Sequence, residues 1–431
     1  MKVYKFGGAS IKDYKSIKRL VKIIRNDNCD QMMLIVSAMG KTTNSMEDLV
    51  ASYTKSYKNI KAKLELIKRF HTDIVKGLFQ KNRLSALKVV DLLFDEIDKF
   101  LKLNKENDYN FIYDQLVSYG EILSSVIISE YLNSIGLKSK WVDARSCIKT
   151  DQYYRDANVD FEKTSKSIKR KIKGKGLFIS QGFIGSNKKS FTTTLGREGS
   201  DYSAAIFAHA LNAESVTIWK DVRGVLNADP RYFNKTKLLN KISYEEAIEL
   251  AFYGASVIHP KTLQPLKKKK IPLYVKSFLS PSREGTVISK KDHKVKDIPS
   301  HIVKWNRVLL KISSKDFSFI VEKKISLIFS MLSKYKIKVE LIQNSAISFS
   351  VVLNNKYGGL DKLLDELKET FKVSVDKDVS LFTIRHFNRY SLKHIKKLNQ
   401  NILLEQRTYE TLQLVLSRDF KQENLLQFFE R

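Results

Sequence analysis

The chain has 431 residues, of which 43% are hydrophobic, and carries a net charge of +31. That length accommodates two or three domains of about 100–200 residues each. No apolar run nears the ~20 residues that cross a bilayer and no signal-peptide pattern opens the chain. Its two cysteines, Cys29 and Cys147, have neither CxxC nor metal-ligand spacing. These features argue against a membrane span, a secreted disulfide scaffold and a cysteine metal site, and point to a cytoplasmic protein with reduced cysteines. The lysines are spread over nearly every element, so they read as solvated faces and not as a specific nucleic-acid site. Salt-sensitive, sequence-independent contact with polyanions is all that the charge predicts.

In chain order, Val3 to Phe6 reads as a strand, broken at Gly7-Gly8 and followed by a helix with Ile17, Leu20, Val21 and Ile24 on one face. Met33 to Val36 is a buried strand that ends in a polar turn from Ser37 to Asn44. From about 45 to 133 the apolar spacing is helical, which predicts an insertion over a sheet. Strand signals return at Lys140 to Val142, Leu177 to Ile179, Thr192 to Leu195, Val216 to Trp219 and Pro272 to Val275. Ser243 and Glu246 form a capping box for a helix running towards Phe252. Strands alternating with helices predict a mainly parallel sheet covered on both faces across residues 1–280. Residues 281–300 are polar, without apolar periodicity, and read as a linker. Residues 301–431 follow a β-α-β-β-α order that partly recurs, ending in a helix near Phe429, which predicts two ferredoxin-like modules.

Three glycine-containing turns follow three strands. Lys5-Phe6-Gly7-Gly8-Ala9-Ser10 sets a cation before two unencumbered backbone N–H groups, a phosphate cradle although neither a Walker loop nor a dinucleotide fingerprint. Thr194 to Tyr202 contains Gly196, Arg197, Gly199, Ser200 and Asp201; the Arg197 guanidinium is suited to a carboxylate, and Asp201 can also be read as a helix cap. Trp219 to Arg231 is a structured loop with two turn signals. Singly, each is an ordinary turn. Jointly, at the carboxyl ends of strands in an open α/β sheet, they favour one nucleotide crevice.

These runs, with Val36-Ser37-Ala38-Met39-Gly40-Lys41-Thr42-Thr43-Asn44 and Gly254 to Thr262, resemble the aspartate kinase family and occur in its order. The C-terminal half resembles that family's paired ACT regulatory modules. The resemblance implies an amino-acid-kinase fold and ATP-dependent phosphorylation of the L-aspartate side-chain carboxylate, the first step of lysine, threonine and methionine biosynthesis. ATP would enter with Mg²⁺ as co-substrate and no tightly bound cofactor or resident metal site. It further implies catalytic roles for Lys5 and Asp201, and substrate contacts from Ser37, Thr43, Glu121, Arg197 and Ser200. Glu121 would take the substrate ammonium; it shares a polar helix face with Ser118 and Ser125, beside Gly120. Nucleotide contacts would come from Gly7, Gly8, Ser10, Lys220, Asp221, Leu226, Arg231 and Ser256.

Four residues depart from the family's usual pattern: Lys220 where many relatives carry Thr, Leu226 for Tyr, Ser256 for a phosphate-reaching Lys, and Glu198 for Gly. Lys220 is then a candidate replacement for the charge missing at Ser256. The aspartate carboxylate is itself an anionic nucleophile, so no catalytic histidine is needed, and His259 before Pro260 reads as a turn residue. The modules imply a lysine or threonine effector near Glu340, Asn344 and Ser345, and a homodimer or higher homo-oligomer; a plain edge strand with a polar turn is the alternative there. A glutamate kinase would share the glycine turns without the ACT pair. A non-catalytic sensor or polyanion binder would not need Lys5, Arg197 and Asp201 together.

Overall fold

A computed structural model describes all residues except 28, 56–58, 256, 291–297, 317, 357, 396–400 and 421–431. It divides into two compact units. The first comprises Met1–Val225, Leu238–Ala251 and Ser256–His293; the second comprises Leu226–Lys237, Phe252–Ala255 and Lys294–Arg431.

The first unit is built on strands β1 (Lys2–Phe6), β2 (Gln31–Val36), β3 (Ser139–Val142), β4 (Gly176–Gln181), β7 (Ser215–Lys220), β8 (Lys241–Ser243), β9 (Leu273–Ser277) and β10 (Thr286–Ser289), with the hairpin strands β5 (Ile184–Ser186) and β6 (Thr192–Thr194) apart from it. The sheet order is β3-β4-β2-β1-β7-β9-β10-β8, and every pairing is parallel except β9 with β10. Lys5 lies in register with Ile35 of β2 and Ile218 of β7, so the carboxyl ends of the central strands align. Strand β10 lies within the stretch expected as a linker. Its apolar signal, Val287 and Ile288, is too short for periodicity to reveal, and its pairing with β8 and β9 supplies the missing information.

Helix α1 (Tyr14–Arg25) starts where the Asp13 side chain accepts from the Ser16 N–H at 2.7 Å, and buries Ile17, Leu20, Val21 and Ile24. Helices α2 (Thr42–Lys55), α3 (Ile60–Leu78), α4 (Arg83–Leu103), α5 (Tyr109–Val117) and α6 (Tyr119–Ser134) form the expected insertion, and share one core with α1 and with Tyr4, Phe6, Leu34 and Val36 of the sheet. After α7 (Ala144–Cys147) and α8 (Phe161–Lys171), α9 (Gly199–Leu211) packs against β1, β2 and β7, its Ala204, Ala205 and Ala208 allowing close approach. The serine half of the expected capping box is present: Ser243 Oγ accepts from the Glu246 N–H at 3.0 Å at the start of α10 (Tyr244–Tyr253). His259 caps α11 (Pro260–Lys269), its Nδ1 accepting from Lys261 N–H at 3.2 Å, a turn role as its position predicts.

The second unit contains one antiparallel sheet in the order β12-β13-β11-β14-β16-β15. Its strands are β11 (Ser300–Ser314), β12 (Lys338–Asn344), β13 (Ser348–Asn354), β14 (Phe371–Arg385), β15 (Ile402–Arg407) and β16 (Thr411–Leu416). Helices α12 (Glu322–Lys334) and α13 (Leu360–Thr370) cover the first module and α14 (Arg389–Ile395) belongs to the second; the helix expected near Phe429 lies outside the described residues. The two ferredoxin-like modules are continuous, because β11 and β14 each run for 15 residues through both. The sheet also curls: Gln343 Nε2 of one edge strand donates to the Glu405 carbonyl of the other at 3.5 Å, and Gln406 Nε2 to the Ile342 carbonyl at 3.2 Å. Leu309, Leu341, Val352, Val379, Leu381 and Val415 cluster on the face opposite the helices and are buried.

Candidate active site

A cavity of about 400 Å³ lies at the carboxyl ends of the first unit's strands, lined by Lys5, Ser37, Thr43, Glu121, Arg155, Arg197, Glu198, Ser200, Asp201 and Lys220 among others. Its centre is an ion-pair triad. Lys5 Nζ, from β1, lies 2.6 Å from Asp201 Oδ1, and Lys220 Nζ, from the end of β7, lies 3.2 Å from Asp201 Oδ2. Lys220 Nζ also donates to the Val257 carbonyl. Asp201 is buried on the first turn of α9, and does not cap that helix. Burial pushes its carboxyl up, yet the Lys5 and Lys220 charges outweigh that and hold it below the usual carboxylate range.

Glu121 sits on the first turn of α6 and is 2% exposed. Its Oε1 accepts from the Ala38 N–H at 3.1 Å while Oε2 has no partner. Burial pushes its carboxyl up to about 8, the environment of a group waiting for a cation. The polar face of α6 is turned inward: Ser125 Oγ accepts from Gln181 Nε2 at 2.6 Å and from Trp141 Nε1 at 3.0 Å. A Cβ on Gly120 would lie 3.0 Å from Ala38 Cβ, so glycine lets α6 reach the loop after β2. Ser37 Oγ is 3.1 Å from Ser200 Oγ, joining the β2 loop to the start of α9. At Glu198 the backbone is left-handed, φ 54°, a conformation suited to the glycine usual there; burial raises its carboxyl.

The cavity therefore gathers eight of the site residues expected from the sequence: Lys5, Ser37, Thr43, Glu121, Arg197, Ser200, Asp201 and Lys220. Gly7 and Gly8 form the turn after β1; a Cβ on Gly8 would lie 2.8 Å from the Ala38 and Gly40 carbonyl oxygens. Ser10 is buried, its hydroxyl donating to the Trp219 carbonyl at 3.2 Å, and so ties the turn to β7. Asp221 is exposed just after β7. Leu226 and Arg231 belong to the second unit, where Arg231 pairs with Asp229 at 2.6 Å. Ser256 lies outside the described residues. In the second unit Glu340 pairs with Arg307 at 2.7 Å and Lys304 at 3.6 Å, while Asn344 and Ser345 are exposed. Sequence reasoning passed over Tyr113, Phe183 and Arg155, which also line the cavity. No spacing rule marks them, because α5, the 151–160 loop and the turn between β4 and β5 meet the site only through the tertiary fold.

Strand ends that converge on two lysines, a bridging buried carboxylate and glycine turns define a small-molecule phosphotransferase of the amino-acid-kinase class, and the Amino acid kinase family model matches residues 1–277. The chain is 30% identical over 396 residues to the lysine-sensitive aspartokinase 3 of Escherichia coli (strain K12), covering 89% of this chain and 86% of that protein. Structures of E. coli aspartokinase III, one in complex with lysine and aspartate and one with aspartate and ADP, superpose with TM-scores of 0.81, at 26% and 27% identity, over 99% of this chain and 98% of theirs. The aspartate kinase of Clostridium acetobutylicum superposes with a TM-score of 0.83 at 25% identity over 99% of each chain. The chain belongs to the aspartokinase family.

Proposed function

We propose that this protein transfers the terminal phosphoryl group of ATP to the side-chain carboxylate of L-aspartate, giving 4-phospho-L-aspartate, and that an amino acid regulates it. The observation that carries this reading is the Lys5–Asp201–Lys220 triad sharing a cavity with Arg197 and the unsatisfied Glu121. Phosphoryl transfer to a carboxylate needs alignment and charge stabilisation, and no base. Lys5 and Lys220 supply fixed positive charge where negative charge develops, with Asp201 holding their ammonium groups in place. Glu121 receives the substrate ammonium, Arg197 takes the α-carboxylate, and Ser37, Thr43 and Ser200 complete the polar wall. The Gly7 and Gly8 amides face the phosphates, and Ser10 supports that turn. Asp221 and Arg231 stand at further nucleotide-contact positions of the family pattern, from which Leu226 and Ser256 depart. Mg²⁺ would arrive as part of the MgATP substrate, bridging its phosphate oxygens.

Residues 1–280 together with β10 form the catalytic domain, and 301–431 the paired ACT region. A lysine or threonine effector would contact Glu340, Asn344 and Ser345; for Glu340 to take its ammonium, Arg307 must be displaced. The ACT region is the natural surface for a homo-oligomer, and the cytoplasm, where ATP and aspartate are available, is the expected compartment. Among the described residues no helix is long and apolar enough to cross a membrane. The test is hydroxylamine trapping of acyl phosphate with ATP and either aspartate or glutamate. Product with aspartate supports the assignment; product with glutamate alone refutes it. Separate titration of lysine and threonine against that activity then identifies the effector.

A further inference from the structure

Arg155 stands in the cavity wall in a backbone conformation that a side chain rarely adopts, φ 71°. The loop is held there from outside. The Arg155 N–H donates to both oxygens of the buried Asp114, at 3.2 and 3.1 Å, and Asp114 also accepts from the Thr194 N–H at 2.8 Å and its hydroxyl at 2.7 Å. Thr194 leads directly into the Gly196-Arg197 turn, so one carboxylate fixes both arginine-bearing segments. The next contact repeats the tie, the Ala157 N–H donating to the Thr194 carbonyl at 2.9 Å. Beyond the backbone, the guanidinium lies over Tyr113, 4.3 Å from the ring centroid, with Tyr109 at 5.6 Å. Tyr113 is itself anchored, its hydroxyl donating to Glu47 at 2.6 Å.

A guanidinium ordered by an aromatic face keeps its N–H edge available, and Arg155 forms no ion pair or hydrogen bond through its side chain with any described residue. It therefore presents a planar donor, already positioned, to an anion in the cavity. On the reading of this cavity as the aspartate site, we propose that Arg155 is a further substrate-binding residue, which grips the α-carboxylate of the acceptor together with Arg197. Left-handed strain at a residue that projects into a site is tolerated where the side chain has a use there.

The test is calorimetric binding of L-aspartate, and of its α-amide, to wild type, Arg155→Gly and Arg155→Lys. Glycine suits the observed φ, so the fold is retained in that variant, as a thermal melt will confirm. A lost charge-assisted hydrogen bond predicts about ten- to hundredfold weaker aspartate binding in Arg155→Gly. The α-amide should be affected far less, and Lys should restore part of the aspartate affinity. Aspartate affinity within twofold of wild type, or an equal loss for the α-amide, overturns the assignment of Arg155. A wild-type protein that binds no aspartate overturns the reading of the cavity as well.

Discussion

At the scale of single residues, the site is organised by what burial does to charge. Burial pushes the Glu121 carboxyl up to about 8, so a proton and a cation compete for it near neutral pH. An aspartate ammonium binds its ionised form, whose fraction grows about tenfold per pH unit below that value. Apparent aspartate affinity should therefore rise between pH 6 and 8 and level off above, and the slope should vanish in Glu121→Gln; calorimetry across that range checks it. Lys220 makes the second prediction. Lys220→Met leaves the buried Asp201 with Lys5 alone, so removing one preorganised charge should lower kcat by about 10²-fold and also lower the melting temperature. Steady-state kinetics at saturating ATP and aspartate decide it. These two residues were legible to different degrees. The sequence marks Glu121 and Lys220 as candidates, but the shared Asp201 carboxylate depends on β1, β7 and α9 meeting, which no local pattern encodes.

At the scale of elements, buried polar groups act as struts between segments. Asp114 on α5 accepts from Thr194 of β6 and from the Arg155 loop. Asp114→Ala leaves those buried donors unpaired, which should cost about 2–4 kcal/mol and raise the KM for aspartate as the Arg197 turn loosens. Denaturant unfolding and kinetics read the two effects separately. His71 joins α3 to α2: its Nδ1–H donates to the Ile67 carbonyl at 2.8 Å and its Nε2 is 3.5 Å from Thr42 Oγ1, one residue before Thr43. Burial lowers its pKa from 6.5 to about 4. A histidine kept neutral by the fold contributes stability that is full above pH 6.5 and lost as pH falls towards 4, here on the order of 3 kcal/mol. Melting temperature should drop through that window, and less so in His71→Leu. The periodicity of α1 to α6 made these helices readable in advance. Their inward polar contacts were not, because Asp114 and His71 sit on helices as any solvated residue would.

At the scale of the whole molecule, the chain crosses between its two units more often than its sequence suggests. A boundary near residue 280 is what composition offers, and the continuous run of β-α-β-β-α signals after 300 supports it. Yet Leu226–Lys237 and Phe252–Ala255 pack with the second unit although their neighbours on both sides belong to the first. The reason is physical: Ala228 bridges to His301, and Ala228 and Phe233 enter the apolar cluster of Phe382, Ile384, Leu412 and Leu414. A loop rich in turn residues gives no periodic signal of such burial. The consequence is testable by truncation. A chain ending at residue 293 keeps those two segments and loses the strands on which they pack, exposing Phe233, which is now 3% exposed. Fully exposing such a side chain forfeits about 2–3 kcal/mol, so the truncated chain should melt below the full-length protein and bind a hydrophobic dye. Phe233→Ser in the truncated chain should abolish the dye signal without lowering the melt further, because there the side chain has no core to leave. The same substitution in the full chain should be costly, about 3–5 kcal/mol for loss of a buried phenyl ring. That contrast is the signature of a segment whose stability belongs to the C-terminal sheet.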